Sequence, residues 1–338
     1  MEQLKWGILG CGSIANKFAE ALQKVPDSVP YAAAARDKSR ADAFATKWNF
    51  QNNYGSYSEL VSDNEVDIIY IATPHSYHFA HTKLCLEAGK HVLCEKPFTI
   101  NSAQLKQLIA IAKQNNRFLM EALWSKFLPG IIKVKQIVEE GLIGDPKMMY
   151  VDFGLNFPSD PKHRLNNPHL GGGSLLDLGI YPLFMSLHMF GKPMNMIAHS
   201  SLNNNKIDLN TSIITESKNG TISHLSSTMR AKTPVKATLT GTEGSIEFDS
   251  FWFTPVGFIL NKNNKESRYE FPTIANGYEY EIIESAKCIA ENKLESDTMP
   301  HSFSLMLMEQ MDKIRKITGI SYPVEIESVE IPYGWDEL

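Results

Sequence analysis

Residues 91–97 read His-Val-Leu-Cys-Glu-Lys-Pro, and this heptapeptide sets the expectation for the whole chain. Its first residues are typical of a short buried strand. Because Pro97 lacks the N–H that a further ladder hydrogen bond requires, we expect the strand to end there. In open α/β sheets, ligands bind at the carboxyl ends of the strands. The sequence therefore predicts that Lys96 lies at the mouth of a cofactor crevice.

A glycine motif lies upstream of this strand, near the amino terminus. Residues 4–9 are typical of a buried strand and run into Gly-Cys-Gly-Ser-Ile-Ala, a G-x-G-x-x-A motif that opens an apolar helical pattern. The first glycine permits a tight turn, the second lets backbone approach a pyrophosphate, and the small last residue allows close helix–strand packing. The phosphate then meets free N–H groups at the helix N-terminus. We therefore assign cofactor binding to Gly10, Cys11, Gly12, Ser13, Ile14 and Ala15.

The end of the second strand bears on the choice of nicotinamide cofactor. An acidic residue at this position holds the ribose hydroxyls of NAD. After the strand at residues 31–35, this chain has Arg36, then Asp37, and Arg40 one helical turn later. An arginine can stack on adenine and grip a 2′-phosphate. The pattern favours NADP over NAD, and NAD stays open because Asp37 fits the acidic role. The alternative without a cofactor is that these residues form a solvated basic helix start.

Two further strands supply the remaining cofactor candidates. Residues 67–72 lead into a Thr-Pro-His turn, and residues 117–121 form the last strand of the first domain. His75, His78 and His81 stand three apart, but no carboxylate or cysteine is spaced to complete a zinc site, so we expect no metal. The cofactor candidates here are Ala72, Thr73, Pro74, His75, His78, Glu95, Lys96, Pro97 and Glu121.

The rhythm of the chain changes after residue 124. A helix that starts at Pro129 is followed by alternating segments, and Lys-Asn-Gly and Thr-Glu-Gly turn signals separate some of them. This is typical of a mostly antiparallel sheet with one packed face. The predicted strands cover residues 148–157, 207–216, 221–229, 236–240 and 245–253. The predicted fold class is α/β: an N-terminal Rossmann dinucleotide-binding domain over 1–122, and a C-terminal α/β domain with a large, mostly antiparallel open sheet over 123–338.

A triple glycine at residues 171–173 precedes a second group of candidate residues. Asp177 and Tyr181 are spaced i, i+4, so they share one face of the helix expected there. A nearby ammonium lowers the pKa of a tyrosine, so Lys96 and Tyr181 make an acid–base pair that can exchange a proton with a substrate hydroxyl. Asp177 orients the substrate or the lysine. Alone, Tyr181 is explained as a core residue and Lys96 as a surface residue, but beside a nucleotide site they favour catalysis.

Composition argues against several classes of function. The 338 residues, 43% apolar and 21% charged, suit a globular chain long enough for two domains. The net charge of −5 gives no electrostatic reason to expect nucleic acid or an anionic membrane. No apolar run approaches the roughly 20 residues that span a bilayer. The first strand begins almost at Met1, which leaves no room for a signal peptide, and the four scattered cysteines are typical of reduced thiols, so we expect a cytoplasmic location.

These motifs resemble the Gfo/Idh/MocA oxidoreductase family over nearly the whole chain. The resemblance rests on the glycine motif, on Ala-Thr-Pro at 72–74 with His78, on Glu-Lys-Pro at 95–97, and on Asp177 with Tyr181. Ala-Ala-Arg-Asp at 34–37 and Met-Glu-Ala-Leu-Trp at 120–124, leading into Phe127, look most like the trans-1,2-dihydrobenzene-1,2-diol and D-xylose dehydrogenases of this family. Many relatives carry histidine where this chain has Tyr181, which weakens an inositol-dehydrogenase assignment.

The resemblance implies reversible hydride transfer between NADP and a hydroxyl-bearing carbon of a sugar or cyclic diol. Tyr181 then takes the hydroxyl proton, while Lys96 holds Tyr181 or the substrate oxygen and favours the negative charge that develops. Trp124, Phe127 and Phe157 could form an apolar wall for the substrate beside Tyr181, although each is individually better explained as core. The alternatives are a glycoside hydrolase that retains NAD throughout, and a cofactor-binding protein without turnover.

The expected partners are a small-molecule substrate and further copies of this chain. The resemblance implies an open C-terminal sheet that is often a dimer surface, and a broad sheet with one uncovered face usually needs a partner. We therefore expect a homodimer or homotetramer formed through that sheet.

Overall fold

The computed structural model describes residues 3–160, 163–254 and 256–323. Within these residues, the chain divides into two compact units. The first comprises residues 3–124 and 273–305, and the second comprises residues 125–272 and 306–323. The end of the predicted second domain, residues 324–338, lies outside the described residues.

A sheet of six parallel strands forms the centre of the first unit, as far as the chain is described. Its strands are β1 (Leu4–Leu9), β2 (Ser28–Ala34), β3 (Asn52–Tyr54), β4 (Ile68–Ile71), β5 (His91–Glu95) and β6 (Leu119–Ala122). Their order across the sheet is β3-β2-β1-β4-β5-β6, the order of a doubly wound dinucleotide-binding fold whose switch point lies between β1 and β4. β4 is buried throughout, as expected for a parallel strand covered on both faces. The predicted Rossmann fold is confirmed.

Nine α-helices occur in the described residues, numbered here in chain order. They are α1 (Ser13–Leu22), α2 (Lys38–Trp48), α3 (Tyr57–Ser62), α4 (His78–Glu87), α5 (Ser102–Gln114), α6 (Pro129–Glu139), α7 (Ile180–Phe190), α8 (Glu279–Ala290) and α9 (His301–Thr318). Side chains cap several of them. Ser56 and Glu59 form a reciprocal capping box at α3, and Asn101 accepts the N–H of Gln104 at α5. These caps satisfy N–H groups that the first turn of a helix leaves without an intrahelical partner.

Residues 273–305 pack with the first unit, which differs from the predicted division between residues 122 and 123. The N–H of Leu119 in β6 donates to the Leu294 carbonyl at 3.0 Å. The ring of His301 lies 2.7 Å from the Leu119 carbonyl, across a separation of 182 residues. Contacts between such distant positions leave no local mark in a sequence, so a single break in its rhythm could not reveal the discontinuity.

The second unit contains a mixed sheet that has eight strands within the described range. The strands are β7 (Pro146–Gly154), β8 (Asn195–Leu202), β9 (Asp208–Glu216), β10 (Ile222–Thr228), β11 (Ala237–Gly241), β12 (Gly244–Phe248), β13 (Phe258–Lys262) and β14 (Lys265–Tyr269). Their order is β14-β13-β12-β11-β7-β10-β9-β8, with β7 and β10 parallel and the other neighbours antiparallel. The predicted mostly antiparallel sheet is confirmed.

The sequence prediction missed three of these strands and extended a fourth. β8 alternates between exposed and half-buried residues, and β14 is exposed along most of its length, so neither strand has a fully buried face. β13 was missed as well. The predicted strand over 245–253 ends at Phe248, because the chain turns through Phe251, whose φ is +62°.

The helix that carries the second group of candidate residues lies in the core of the second unit. It begins with a π-helical turn, Leu175–Gly179, and continues as α7. The segment Pro168–Phe190, in the described part of the chain, is long and apolar enough to pass a length and composition test for a membrane span. However, 94% of the tested window is buried inside the protein. A helix that is apolar on all sides is typical of a protein core, and this one is packed as such.

Candidate active site

The glycine motif forms the turn between β1 and α1. Gly10 has a φ of +101°, and a Cβ there would lie 3.1 Å from the Ala72 carbonyl oxygen, so the turn requires glycine. Gly12 is the N-cap residue of α1, and a Cβ on it would meet nothing within 4 Å in the described part of the chain. The N–H groups of the first turn, which begins at Ser13, therefore have open space beside them for a pyrophosphate.

The other residues of the motif match its expected packing. Ala15 is fully buried, as close helix–strand packing requires. Ile14 is half-buried, and Cys11 is half-buried with its Sγ 3.5 Å from the Ala34 carbonyl. Burial raises the pKa of Cys11 to about 11, so this thiol stays neutral near pH 7.

Arg36 and Asp37 follow β2, and the structure gives them different roles. The Asp37 carboxylate caps α2, because it accepts the Ser39 N–H at 2.9 Å and the Ser39 hydroxyl at 2.6 Å. These hydrogen bonds lower the pKa of Asp37. Arg36 and Arg40 are exposed, and both cations act on the half-buried Tyr57, where they lower a pKa that burial raises. Two arginines therefore share one patch at the end of β2, while the acidic residue holds the helix.

His78 joins the loops that follow β4 and β5. Its Nδ1 lies 2.7 Å from the Pro97 carbonyl and its Nε2 lies 2.9 Å from the Thr73 carbonyl, and burial lowers the pKa of His78 to about 3. His81 Nδ1 lies 3.0 Å from the Thr73 hydroxyl, and His75 packs edge-on against His78. The two ring nitrogens of His78 therefore connect the loop after β4 with the loop after β5, and His81 contacts the loop after β4. Within the described residues, no group of three or more His, Cys, Asp and Glu side chains could hold a metal ion.

The carboxyl end of β5 carries Glu95, Lys96 and Pro97. The hydroxyl of Tyr70, fully buried in the neighbouring β4, donates to Glu95 Oε1, and the Lys96 N–H donates to Glu95 Oε2 at 3.1 Å. The Lys96–Pro97 peptide bond is cis, and Lys96 is half-buried. Burial raises the pKa of Tyr70 well above its usual value, so its hydroxyl remains a donor. The sequence prediction missed Tyr70, whose only signal is a polar atom within an apolar strand.

Two more carboxyl groups are buried near this strand end. Glu121 in β6 accepts the Phe98 N–H at 3.0 Å, and burial raises the pKa of Glu121 to about 7. Glu281 in α8 is fully buried, and its two oxygens find no hydrogen-bond partner among the described residues. Burial and the neighbouring Glu95 raise the pKa of Glu281 well above its usual value. Glu281 was not predicted, because it is brought here by the segment that returns to the first unit.

Asp177 and Tyr181 lie on the buried helix of the second unit. Asp177 is in the π-helical turn. Nη2 of Arg164 donates to both of its carboxylate oxygens, to Oδ1 at 3.1 Å and to Oδ2 at 3.2 Å. Tyr181 is 6% exposed and packs edge-on against Phe153 with ring centroids 5.4 Å apart. The i, i+4 prediction assumed a regular α-helix, and the wider π turn changes that spacing. Arg164 and Phe153 were not predicted, because neither stands near the helix in sequence.

The three aromatic residues predicted to line the substrate have different surroundings. Trp124 stacks on Tyr278 within the first unit, with centroids 4.6 Å apart. Phe127 is 5% exposed, as a core residue is. Phe157 is half-buried and packs against His163 at 5.7 Å.

The structure brings most of the predicted cofactor residues to one edge of the first sheet. The glycine motif, Arg36, the Thr73–Pro74 turn and Lys96 follow the carboxyl ends of β1, β2, β4 and β5, respectively. In a doubly wound sheet, this edge is where a dinucleotide binds. Asp177, Phe127, Phe157 and Tyr181 lie in the second unit.

Two family models match the chain. One, described as an oxidoreductase family with an NAD-binding Rossmann fold, matches residues 4–123. The other, the GFO/IDH/MocA C-terminal domain, matches residues 131–247.

Similar proteins match this chain over most of its length. A trans-1,2-dihydrobenzene-1,2-diol dehydrogenase from Xenopus laevis is 37% identical, over 94% of this chain and 99% of the relative. A D-xylose 1-dehydrogenase (NADP(+)) from Hypocrea jecorina is 35% identical, over 95% of this chain and 93% of the relative. The crystal structure of KijD10, a 3-ketoreductase from Actinomadura kijaniata, matches in fold with a TM-score of 0.86 at 22% identity, over 94% of this chain and 98% of that one.

Proposed function

The chain belongs to the Gfo/Idh/MocA oxidoreductase family and is an NAD(P)-dependent dehydrogenase, and we propose that it transfers a hydride between NADP and a hydroxyl-bearing carbon of a sugar or cyclic diol. The observation that carries this proposal is the position of Lys96. It follows β5, one strand beyond the switch point of a Rossmann sheet, at the edge of the sheet where dinucleotides bind.

The residues at the end of β1 and β2 fit NADP. Gly12 leaves open space at the start of α1, and the helix N-terminus favours an anionic pyrophosphate there. Arg36 and Arg40 supply the positive charge that a 2′-phosphate requires. Asp37 already caps α2, which argues against its use as the ribose ligand of NAD. The name of the Hypocrea jecorina relative includes NADP, which supports the same choice.

The protein's own groups manage the proton and the charge of the reaction. When bound, the cofactor supplies a hydride acceptor, NADP, in the oxidation direction and a hydride donor, NADPH, in the reverse direction. We propose that Tyr181 takes the proton of the substrate hydroxyl and returns it in the reverse reaction. The Lys96 ammonium favours the negative charge that develops on the oxygen. Glu95, held by Tyr70 and by the Lys96 N–H, fixes the backbone from which the lysine side chain extends.

The substrate class rests on the relatives and on the aromatic surroundings. The two curated relatives are named for a cyclic diol and for D-xylose. Phe153 packs against Tyr181 and stacks on Phe253, with centroids 4.1 Å apart. Apolar surface beside the phenol of Tyr181 suits a substrate ring that has an apolar face and carries hydroxyl groups. The relatives are named dehydrogenases, so the alternative of a cofactor-retaining hydrolase is not favoured.

Nicotinamide absorbance of the purified protein tests the proposal. NADP and NAD are offered separately against aldoses, inositols and cyclic diols, with Lys96→Ala as the control. We expect turnover with NADP on D-xylose or a dihydrodiol and at least a hundredfold loss in the control. Sugar-dependent product without net NADPH formation points instead to the hydrolase. Stoichiometric NADP binding with no turnover on the whole panel points to a protein without catalysis.

We also propose that the chain forms a homodimer or homotetramer through its second sheet. The outer face of β7, β8 and β9 exposes Tyr150, Ile197 and Ile214, which are 50%, 69% and 40% exposed. An apolar patch of this kind is typical of a protein interface. Light scattering should therefore give a multiple of 38.0 kDa, and Ile197→Asp should lower it. Ile283→Asp, on α8 of the first unit, is the matched control, and a monomeric wild type would contradict the proposal.

A further inference from the structure

The helix that carries Asp177 and Tyr181 has no capping side chain in its own first turn, as far as the described residues show. Ser174 occupies the N-cap position but, among the described residues, makes no side-chain capping hydrogen bond. Its hydroxyl instead donates to the Ser227 hydroxyl in β10 at 2.8 Å. The residues before it are the glycines at 171–173, which have no side chain to offer. The first N–H groups of the helix therefore need an acceptor from elsewhere.

Asp208, the first residue of β9, supplies that acceptor. Its Oδ2 accepts the Leu175 N–H at 2.7 Å and the Thr211 hydroxyl at 2.8 Å, and the side chain is fully buried. Asp208 stands 33 residues from Leu175 in sequence. A carboxylate at a helix N-terminus is stabilised both by this hydrogen bond and by the helix dipole.

The triple-glycine loop is shaped around this carboxylate. Gly173 has a φ of +112°, and a Cβ there would lie 2.3 Å from Asp208 Oδ1. The loop therefore passes so close to the carboxylate that any side chain at position 173 collides with it. The Tyr322 hydroxyl donates to the Gly172 carbonyl at 2.9 Å, so a residue far away in sequence holds the same loop.

A cap alone does not require a buried carboxylate. A serine or threonine hydroxyl within the helix's own first turn caps as well and avoids the cost of burying a charge. Asp208 Oδ1 also lacks a hydrogen-bond partner among the described residues, which adds to that cost. What the acid provides, and a local cap does not, is a link between the helix start and a strand of the sheet. The helix is thereby fixed in position as well as capped.

We infer that Asp208 is a positioning residue, which ties the start of this helix to β9 and so fixes where Asp177 and Tyr181 stand. The inference rests on the proposed proton-transfer role of Tyr181. A reacting group displaced by about 1 Å can lose roughly a hundredfold in rate. Asp208 acts on turnover through the helix. The predicted NADP residues lie in the first unit, so their affinity for the cofactor is not expected to change.

The test compares Asp208→Ala, Asp208→Asn and Thr211→Val in the full chain. For Asp208→Ala we expect kcat to fall roughly ten- to a hundredfold, with the NADP dissociation constant within twofold of wild type. Asp208→Asn keeps an oxygen that can accept the Leu175 N–H, so it should recover most of that kcat. Thr211→Val removes one donor and leaves the helix cap, so its kcat should stay within twofold. Amide exchange at 174–181 should quicken in Asp208→Ala and recover in Asp208→Asn.

Three results would overturn the inference: wild-type kcat in Asp208→Ala, an equal loss in Asp208→Asn, or a parallel loss of NADP affinity. The milder Asp208→Asn and Thr211→Val variants keep the test decisive if Asp208→Ala does not fold, since a tenfold loss in Asp208→Asn would then count against it. Tyr181→Phe is measured alongside. Full turnover in Tyr181→Phe refutes the proposed proton transfer, whereas its loss beside an unaffected Asp208→Ala refutes the positioning role alone.

Discussion

Replacing Tyr70 with phenylalanine isolates the hydrogen bond that supports the end of β5. The ring of Tyr70 stacks on Phe18 with centroids 3.7 Å apart, and phenylalanine preserves that contact. The change removes the hydroxyl that donates to Glu95 Oε1, and both partners are buried. A hydrogen bond to a charged group contributes about 1.5–3 kcal/mol, and removing such a buried donor costs the folded protein stability of that order. We therefore expect the free energy of unfolding to fall by about 2 kcal/mol.

Equilibrium urea unfolding at pH 7 measures this change. Tyr54→Phe is the matched control, since the Tyr54 hydroxyl donates to Asp63 at 2.7 Å in a more open setting. Water replaces the lost donor there, so the control should lose less than about 1 kcal/mol. A Tyr70→Phe variant as stable as the wild type, or no less stable than the control, would refute the view that the buried hydroxyl supports Glu95.

Three further changes follow from the structure. Arg36→Ala should raise the KM for NADP roughly ten- to a hundredfold and leave that for NAD within a few-fold, because the contact proposed for Arg36 is to the 2′-phosphate, which NAD lacks; equal effects on both cofactors would contradict this. Burial raises the pKa of Glu121 from 4.5 to about 7, so the folded state holds a proton that the unfolded state has lost, and stability should fall as pH rises between these values. Glu121→Gln should flatten that part of the urea-midpoint profile, and an unchanged slope would count against it. Burial lowers the pKa of Lys126 from 10.5 to about 8. The Nζ of Lys126 lies 3.0 Å from His188 Nδ1. The unfolded state then binds the extra proton, so stability should rise with pH from about 8 to 10.5, and calorimetry of Lys126→Met should show no such rise.

The sequence predicted features whose cause is local. The glycine motif, the helix that follows it and the strand that ends just before Lys96 each depend on neighbouring residues, and the structure has them where expected. The family membership was predicted from the same motifs. The cytoplasmic location stays a prediction.

The features that sequence reasoning missed depend on distant partners. Tyr70 and Glu95 stand 25 residues apart, Arg164 and Asp177 stand 13 apart, and Asp208 reaches Leu175 across 33. Each pair meets only because strands pair in a particular order or a loop folds back. The periodicity of a single sequence reports which face of an element is buried, and it carries no record of which polar groups meet there.

The buried acids near β5 affect how well Lys96 can stabilise negative charge on a substrate oxygen. Three carboxyl groups, those of Glu95, Glu121 and Glu281, are buried in the first unit. If all three were ionised, their combined charge would oppose the negative charge that develops on a substrate oxygen. Burial raises the pKa of Glu121 to about 7 and that of Glu281 well above its usual value, so burial favours the neutral form of both acids. We therefore expect Glu281 to carry no charge in the working enzyme. Glu281→Gln, which keeps the shape of a neutral acid, should therefore leave kcat at pH 7 within about twofold of wild type, because it removes no charge that Lys96 experiences. Steady-state kinetics with saturating NADP measure this, and a tenfold loss would mean that Glu281 carries a charge in the working enzyme.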